Sequence, residues 1–497
     1  MKNNLNLLDK ARSYFDPEYG FKASKLRLAT AIMVGNSNYD INIPTENYEI
    51  GDTTTADDDL EGLETARDTS RLKEKNNGFA SGVMQCATDH VIGTGLRPKS
   101  TINRRRLTQI SEEKIKYYED LMDDYFQDWV DSQFSDVTGI NDFYLQQRLA
   151  YFTYKRDGEC FATLPIIDKQ INLKLIGAEN VEGEIDGFRF GIKTDSNNRP
   201  ISYRVLQKDN SFKEVKNDTI KQNMLHVFKR KRIDSLRGMP FISGVARDLD
   251  YIDDYMKEEL KAARVAAIFM GSIETAATNN IFDKPAYEVD LSGTTPRSKN
   301  DPTKKTFRES QITQLSMGEK LNIHTQGRDN PNFDKIVTTA LQKVAACTRI
   351  PMEIILTIFT SSYSASRASM LIMDKFVQPE RKIMNRQFNN PIRNQVIEYG
   401  VLKGDLDIPG FFDFKSDYLK CQWEGDAIGS VDPVKDVKAK IAAIDGLLMT
   451  RTKATSDLGN GDFEKNMKIR EKEDEIIRTS KLIDNDIDKT NEEGVTK

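Results

Sequence analysis

Apolar side chains recur every three or four residues on both sides of a short polar stretch that follows residue 350. Such spacing places them on one face of a helix, so residues 334–350 and the segment from 368 onward are predicted to be amphipathic helices. The first stripe consists of Ile336, Val337, Ala340, Leu341, Val344 and Cys347. The second consists of Ile372, Met373, Phe376, Val377, Met384 and Phe388.

The polar stretch between these helices is rich in hydroxyl groups and carries one charge. Pro351 should end the first helix, because the residue before a proline disfavours helical torsion angles. Pro379 removes a backbone donor from the second helix and predicts a kink there. Pro351 and Pro379 are therefore candidate hinges on either side of a hydrogen-bonding loop at 351–367. The candidate loop residues are Thr360, Ser361, Ser362, Tyr363, Ser364, Ser366 and Arg367.

The pattern elsewhere predicts an α+β fold. Helical spacing covers 79–91, 111–131, 140–155 and 245–273, and alternating β-branched residues predict a mostly antiparallel sheet. Its strands are expected at 160–167, 171–176, 188–193, 201–207 and 224–229. Short strands at 287–291 and 320–323 are expected in a polar insertion. The C-terminal part should contain a strand-like stretch at 411–423, a helix capped by Asp432, and a charged helix at 462–481.

Composition restricts the function more than it identifies it. The chain has 497 residues, 30% charged and 38% hydrophobic side chains, and a net charge of -5. This balance argues against a broad basic surface that grips nucleic acid. The run Lys229–Arg232 is written KRKR, and it either touches phosphates or forms a solvated strand end. The helix at 245–273 carries six carboxylates against four basic residues, which indicates a charged face rather than a catalytic dyad.

No arrangement for catalysis, metal or cofactor binding is apparent. The four cysteines and three histidines are scattered without ligand spacing, and no phosphate-binding GxxxxGK[ST] sequence occurs. We therefore expect no enzyme activity, no metal and no cofactor. The N-terminus is polar, and the apolar runs are far shorter than the roughly 20 residues of a membrane span. An intracellular protein without membrane contact is expected.

Several segments together resemble the lambda family of tailed-phage portal proteins. They occur in the family's order between about Asp52 and Arg470, and the ordered set is more specific than any one of them. Ser235 and Leu236 depart from the family, which often has glutamine there, although the Arg-Gly-x-Pro turn is kept. The segments are LETARDTSRLKEKNNGFASGVMQCATDHVIGTGLRP, RDGECFATL, RGMPFISGVARDLDYIDDYMKEELKAARVAAIFMG, RIPMEIIL followed by SYSASRASML, and WEGDAIGSVDPVKDVKAKIAAIDGLLMTR.

The resemblance implies a ring, usually of twelve copies, at one capsid vertex, through which double-stranded DNA is packaged and ejected. It also implies a portal fold with an α/β wing, a two-helix stem, a small β-rich clip and a helical crown. The expected parts are an N-terminal arm (1–60), wing (61–232), stem helix (233–273), clip (274–333), second stem helix (334–350), tunnel loop (351–367), long kinked helix with wing return (368–424), crown (425–482) and disordered tail (483–497).

The resemblance makes the hydroxyl-rich break the tunnel loop, the narrowest part of the DNA channel. Its implied partners are the terminase large subunit, the major capsid or scaffolding protein, a head-completion or adaptor protein, and weakly bound, non-specific DNA. The implied location is the virion, after assembly in the bacterial cytoplasm. The candidate channel-facing stem charges are Asp250, Asp254, Glu258, Lys261, Lys335 and Lys343. Alternative functions are another non-catalytic ring or connector of the neck or baseplate, and a nucleic-acid-processing enzyme.

Overall fold

The computed structural model describes most of the chain from residue 62 onward. The described ranges are 62–217, 223–268, 272–275, 319–322, 330, 332–359, 362–427, 432–459, 461 and 463–493, with backbone only at 265–268, 272–275, 319–322 and 480–493. The predicted arm at 1–60 lies outside them. The chain divides into two compact units, of which the second comprises residues 251–338 and the first the remainder.

Thirteen α-helices are present in the described part of the chain. Side-chain caps begin several of them, since Asn77 Oδ1 accepts from Ala80 N at 2.8 Å and Asp432 Oδ1 accepts from Lys435 N at 3.1 Å. The helices are α1 (Leu63–Asn76), α2 (Gly78–Val91), α3 (Glu112–Asp131), α4 (Phe143–Asp157), α5 (Ala246–Ile268), α6 (Phe333–Thr348), α7 (Met352–Leu356), α8 (Tyr363–Met384), α9 (Asn390–Lys403), α10 (Lys415–Tyr418), α11 (Pro433–Asp445), α12 (Arg451–Asp457) and α13 (Phe463–Glu493).

The strands form small sheets, and the strand ladders among described residues are antiparallel. Two sheets have three strands, in the orders β5-β2-β9 and β6-β7-β8, and three have two strands, β1-β12, β3-β4 and β10-β11. The strands are β1 (Arg97–Ser100), β2 (Glu159–Thr163), β3 (Ile166–Ile167), β4 (Gln170–Ile171), β5 (Lys174–Ile176), β6 (Ile192–Thr194), β7 (Pro200–Leu206), β8 (Phe212–Lys216), β9 (Met224–Phe228), β10 (Ser272–Thr275), β11 (Glu319–Asn322) and β12 (Cys421–Glu424). The α+β expectation is thus confirmed for the mixture of helices and small sheets.

The core of the first unit is helical and aromatic. Phe126, Phe143 and Phe388 are fully buried, and the Phe143 and Phe388 rings stack with centroids 6.2 Å apart. Trp129 is buried beside them and satisfies its ring N–H by donating to Ile171 O at 2.8 Å. Packing of α3 and α4 against the segment after α8 therefore joins distant parts of the sequence into one core.

The second unit contains most of α5, the start of α6, and the β10-β11 pair. Within it the Tyr255 and Phe333 rings stack at 5.6 Å, and Asn330 Nδ2 donates to Tyr255 Oη at 3.0 Å. The strand predicted at 320–323 is confirmed through residue 322. The strand predicted at 287–291 lies outside the described residues.

Several predicted boundaries were wrong. Helix α5 ends at Ile268, because the chain then enters β10. The stretch 411–423 is mostly turn and helix and pairs as a strand only from Cys421. The predicted strand at 188–193 begins at Ile192, because residues with positive φ at Phe190 and Gly191 make a turn there. Helix α13 continues to Glu493, beyond the helix end predicted at 481, and no glycine or proline lies between residues 482 and 493. The disorder predicted for 483–497 stays a prediction.

Helix α8 runs through Pro379 and continues without interruption into a five-residue π-helix, Asn385–Asn389, and then into α9. The π turn therefore lies six residues beyond the proline. Gln387, within the π turn, accepts a hydrogen bond from Phe228 N through Oε1 at 2.9 Å and so caps the edge of β9. The hinge at Pro379 stays a prediction.

Candidate channel segment and its anchors

The segment between α6 and α8 contains two changes of chain direction. Helix α6 ends at Thr348, and Arg349 takes a left-handed φ of 60°. Pro351 precedes α7 as its N-cap, with extended torsion angles. Thr357 ends α7 with a φ of 54°, a conformation unfavourable for a β-branched residue. Pro351 therefore sits at a helix boundary, as predicted, while its role as a hinge stays a prediction.

The hydroxyl-rich break is shorter than the sequence indicated. Helix α8 begins at Tyr363, so Tyr363, Ser364, Ser366 and Arg367 are helical, which corrects the predicted extent of the loop. Ser362 is the N-cap, and its carbonyl accepts from Ser366 N at 3.0 Å. Thr360 and Ser361 lie outside the described residues. Serine is favoured immediately before a helix as well as in loops, so a run of serines alone does not locate the start of the helix.

The first turn of α8 faces α11. Arg367 Nη2 lies 3.5 Å from Asp436 Oδ1, and Lys435 Nζ lies 5.3 Å from the centre of the Tyr363 ring. Ser362, Tyr363, Ser364 and Arg367 are exposed, and Ser366 is buried. Two of the predicted channel residues are thus linked within the subunit to the predicted crown.

The predicted stem charges are placed in three different settings. Asp250 is paired with Lys73 of α1, and Lys343 Nζ lies 2.7 Å from Asp248 Oδ1. Asp254 pairs with Lys257, and Glu258 Oε1 accepts from Lys261 Nζ at 2.7 Å, with all four side chains largely exposed. Lys335 is also exposed. Asp250 is therefore tied to the wing, while Asp254, Glu258 and Lys261 remain on an exposed helix surface.

A buried ion pair fastens α8 immediately after Pro379. Glu380 Oε2 accepts from Lys155 Nζ at 2.8 Å, and both side chains are at most 3% exposed. Lys229 Nζ donates to the other carboxylate oxygen of Glu380 at 3.1 Å. The ammonium group of Lys155 is also surrounded by four aromatic rings, with centroids 4.4 to 5.5 Å away, from Tyr151, Tyr154, Phe241 and Phe376.

This pair is electrostatically asymmetric. Burial lowers the pKa of Lys155 to about 8, although Glu380 opposes the effect. Burial alone would raise the pKa of Glu380, but the neighbouring Lys155 and Lys229 outweigh it and hold that pKa below its usual value. The carboxylate is therefore the firmly charged partner. It joins α8 to α4 and to the chain that follows β9.

A second buried carboxylate, Glu159 at the start of β2, holds together the approach to α5. Its oxygens accept from Arg67, from Arg237 Nε at 2.7 Å and from Gly238 N at 3.1 Å, and one of them lies 2.8 Å from His226 Nε2. Burial works against the charge, but Arg237 and Arg67 prevail and hold the pKa of Glu159 far below its usual value. Arg237 Nη1 also donates to Val181 O at 2.8 Å, and Val181 forms an isolated bridge with Val205 of β7, so the cluster links the sheet of β2 to that of β7.

The glycine after Arg237 is required by a close chain crossing. Gly158 has a φ of 88°, and a Cβ on Gly238 would overlap the carbonyl of Gly158. The Arg-Gly-x-Pro turn can therefore pass directly over the end of α4 only if both positions lack side chains. This crossing fixes where α5 begins relative to the wing.

The anchoring residues Lys155, Glu159 and Glu380 were not singled out from the sequence. Glu159 and Arg237 lie inside segments that carry the family resemblance, but a charged residue in a strand or turn does not reveal its partner. Glu380 follows a proline within an amphipathic pattern, and such a pattern predicts that a glutamate side chain is exposed to solvent. The pairing of Lys155 with Glu380, 225 positions apart in the sequence, is visible only in the folded chain.

Two further searches of the described residues concern metal binding and membrane spanning. Within the described ranges, no cluster of three or more His, Cys, Asp or Glu side chains could hold a metal ion. Among the same residues, no helix has the length and apolar character needed to cross a membrane. The candidate site remains the exposed side chains of residues 358–359 and 362–364, and two buried charge clusters lie elsewhere in the same unit.

Sequence comparisons identify the family of the chain. The sequence model of the family described as "Phage portal protein, lambda family" matches residues 45–381. The chain therefore belongs to the lambda family of phage portal proteins, and its function is that of a portal protein. Portal protein B of Escherichia phage lambda is 19% identical over 425 residues, which cover 78% of this chain and 79% of that relative.

Among solved structures, the chain is similar to chains from gene transfer agent (GTA) particles. The chain has a TM-score of 0.46 and 12% identity to a chain in the neck of a native particle computed with C12 symmetry, covering 79% of this chain and 93% of that one. For the neck of an empty particle computed with C6 symmetry, the TM-score is 0.42 and the identity 11%, covering 80% and 93%.

Proposed function

We propose that twelve copies of this chain form a closed ring at one capsid vertex, around a channel through which double-stranded DNA enters during packaging and leaves during ejection. The family match across residues 45–381 is the observation that carries this proposal. Closed rings require heterologous contacts between unlike surfaces of the same chain. The exposed apolar side chains of α11, which has no buried residue in the subunit, are available for such contacts.

Membership of the portal family suggests the partners. The 274–333 segment docks the terminase large subunit during packaging and a head-completion or adaptor protein afterwards. The wing contacts the major capsid or scaffolding protein. The ring assembles in the bacterial cytoplasm and stays in the virion. DNA contact is weak and non-specific, because a chain with net charge -5 adds few phosphate contacts that would slow sliding.

The exposed residues around the start of α8 line the channel in this proposal. Ser362, Tyr363 and Ser364 offer hydroxyl groups on a convex helix end, and Ile358 and Phe359, which are 55% and 49% exposed, extend the same segment. Weak hydroxyl contacts suit a surface past which a phosphate backbone must move. Thr360, Ser361, Ser366 and Arg367 belong to the same proposed segment. Asp254, Glu258, Lys261 and Lys335 are the remaining proposed channel charges.

Electron microscopy of the purified chain tests the ring. Negative staining should show rings with a central hole wide enough for duplex DNA. A chain that stays monomeric at high concentration would contradict the proposal.

A charge reversal tests the channel segment separately. Arg367→Glu should impair packaging or DNA retention more than ring assembly, because it changes the charge at the proposed constriction and repels Asp436. Lys382→Glu is the matched control, an exposed residue of the same helix with the same charge change. Equal loss of rings and of packaging in Arg367→Glu would assign the residue a structural role instead.

A further inference from the structure

Helix α11 exposes an apolar stripe. Val434, Val437 and Ile441 follow one another at spacings of three and four residues, and they are 62%, 40% and 52% exposed. Helix α11 is described throughout and has no buried residue. A different face of the helix carries Asp436, which approaches Arg367 of α8. The apolar stripe is therefore left uncovered by the part of the subunit that the structure describes.

Two lysines border this stripe, one on each side. Lys438 lies four residues after Val434 and three before Ile441, which places it along one edge. Lys440 lies three residues after Val437 and borders the other edge. Lys438 is exposed and Lys440 half-buried, and neither forms an ion pair among the described residues.

Helix α13 exposes a second apolar face, with a carboxylate at its centre. Ile469, Ile476 and Ile477 are 54%, 67% and 50% exposed. Glu473 lies four residues after Ile469 and three before Ile476, so it shares their face of the helix, and Ile477 borders it on the other side. Glu473 is exposed and forms no ion pair among the described residues. Every side chain described between residues 464 and 479 is exposed.

A different face of α13 holds this helix to the subunit. Glu464 pairs with Lys116 of α3, and Lys468 Nζ lies 3.8 Å from Asp120 Oδ2 of the same helix. The face around Glu473 points away from these contacts, because its residues leave the helix on another side. Helices gain most of their stability from packing of an apolar face, and the described part of the subunit supplies no such packing for this one.

The two faces are complementary in charge as well as apolar. A stripe with a lysine along each edge can cover the isoleucines of α13 and bring an ammonium group to the glutamate among them. A carboxylate that leaves water needs such a partner, since an unpaired charge would oppose the contact. Two α11 stripes would bring lysines together, and two α13 faces would bring glutamates together. Charge therefore favours a contact between the unlike helices.

We propose that the Val434–Ile441 face of α11 in one copy packs on the Ile469–Ile477 face of α13 in the next copy. The two faces are different patches of one chain, as a heterologous interface requires, so the contact can repeat around a closed ring. The inference rests on the proposed ring. It adds the two helix faces through which neighbours meet.

Charge exchange on the full chain tests the contact. One variant carries Lys438→Glu and Lys440→Glu, a second carries Glu473→Lys, and a third carries all three changes. Mass photometry over a concentration series measures the fraction of chain in rings. Each of the first two variants should need about tenfold more protein than the wild type to reach half assembly, because like charges then meet in the contact. The third variant should recover most of the loss.

Glu471→Lys is the matched control. It makes the same charge change on the same helix, at an exposed residue that forms no ion pair among the described residues. Its side chain leaves the helix about 200° around the axis from Glu473, so it lies outside the proposed contact. This variant should assemble like the wild type.

Cross-linking of assembled rings identifies the helices that meet. A variant with Ile441→Cys and Ile476→Cys, treated with a bismaleimide, should give a ladder of covalent oligomers, because a head-to-tail contact joins each copy to two neighbours. Each single variant should give no more cross-linking than the wild type, in which the exposed Cys347 sets the background.

The outcomes separate this contact from the ring itself. Wild-type rings with unchanged assembly of the first two variants, or with no ladder from the double cysteine variant, overturn the contact and leave the ring intact. Covalent dimers from Ile441→Cys alone assign α11 to a two-fold contact and also overturn it. Equal losses in Glu471→Lys and Glu473→Lys would assign the effect to net charge and contradict the contact. Absence of rings from the wild type overturns the proposed function. Recovery in the third variant cannot arise from misfolding.

Discussion

The predicted wing (61–232 with its return at 368–424) and the predicted crown (425–482), called wing and crown below, use charged side chains in opposite ways. In the wing, Glu159 is fully buried and surrounded by Arg67, Arg237 and His226. In the crown, the described contacts to the rest of the subunit include exposed pairs such as Lys116 with Glu464 and Arg367 with Asp436. Ala454 is the single buried residue among the described residues of 432–459 and 463–479.

This difference separates a region that is fully packed in the free subunit from a region that packs further when subunits assemble. A buried charge network requires all its partners in place and therefore specifies one arrangement of the wing. Exposed ion pairs contribute little and are weakened by salt. The apolar residues of α11, among them Val434, Val437 and Ile441, remain 62%, 40% and 52% exposed. We therefore expect the wing to be rigid in the free subunit and the crown to gain its order in the ring.

The largest effect should come from Glu159→Gln. Loss of this carboxylate leaves two buried arginines without compensation, and arginine does not give up its proton. The expected cost is about 3–5 kcal/mol in the free energy of unfolding. Urea unfolding followed by tryptophan fluorescence reports on the wing specifically, because Trp129 and Trp423 are the two tryptophans of the chain. A change below about 1 kcal/mol would mean that the cluster is not essential to the wing.

Glu380→Gln should destabilise the wing less, by about 3 kcal/mol. The orphaned Lys155 can lose its proton, since its pKa is already lowered to about 8, whereas an arginine cannot. Adding Lys155→Met should restore much of the stability, because the remaining pocket is aromatic. The same fluorescence assay measures both variants. Independent, additive losses would show that the two side chains do not act as a pair.

Acid should weaken the wing through two groups with the same sign. His226 has a pKa lowered by burial, and Glu159 has a pKa held down by Arg237 and Arg67 against burial. In the unfolded chain both groups take up protons at a higher pH than in the folded chain. The free energy of unfolding should therefore fall as the pH drops from 6.5 toward 4.5, through His226, and fall further below pH 4.5, through Glu159. Urea midpoints at pH 7.5, 5.5 and 4 measure the effect. In His226→Gln the decline between pH 7.5 and 5.5 should be shallower, and an equal slope would exclude this histidine.

The smallest effect is expected for the crown. Glu464→Gln removes an exposed partner of Lys116 and should change the stability of the subunit by no more than about 0.5 kcal/mol. The rate of proteolytic cleavage within the crown, compared between Glu464→Gln and the wild type at low and high salt, measures this change in stability. A loss as large as that of Glu380→Gln would remove the contrast between the two regions.

Local sequence patterns predicted the helices well and the anchors not at all. The stripes around Val344 and Phe376 identified α6 and α8, because burial of one helix face repeats at a fixed spacing. The start of α8 was misplaced since serine serves equally as a loop residue and as a helix cap. The pairing of Lys155 with Glu380, and the meeting of Glu159 with Arg237, depend on tertiary packing that no local spacing encodes. The family resemblance supplied the function that these patterns alone did not.

Hydrogen exchange compared between dissociated subunits and assembled rings tests the central contrast most directly. Amides of the wing core, such as those of β2 and α4, should be equally protected in both states. Amides of α11 and α12 should exchange rapidly in the subunit and about a hundredfold more slowly in the ring, since assembly would bury their exposed apolar side chains. Equal protection of α11 and α12 in both states would show that the crown is complete without its neighbours, and would contradict the account.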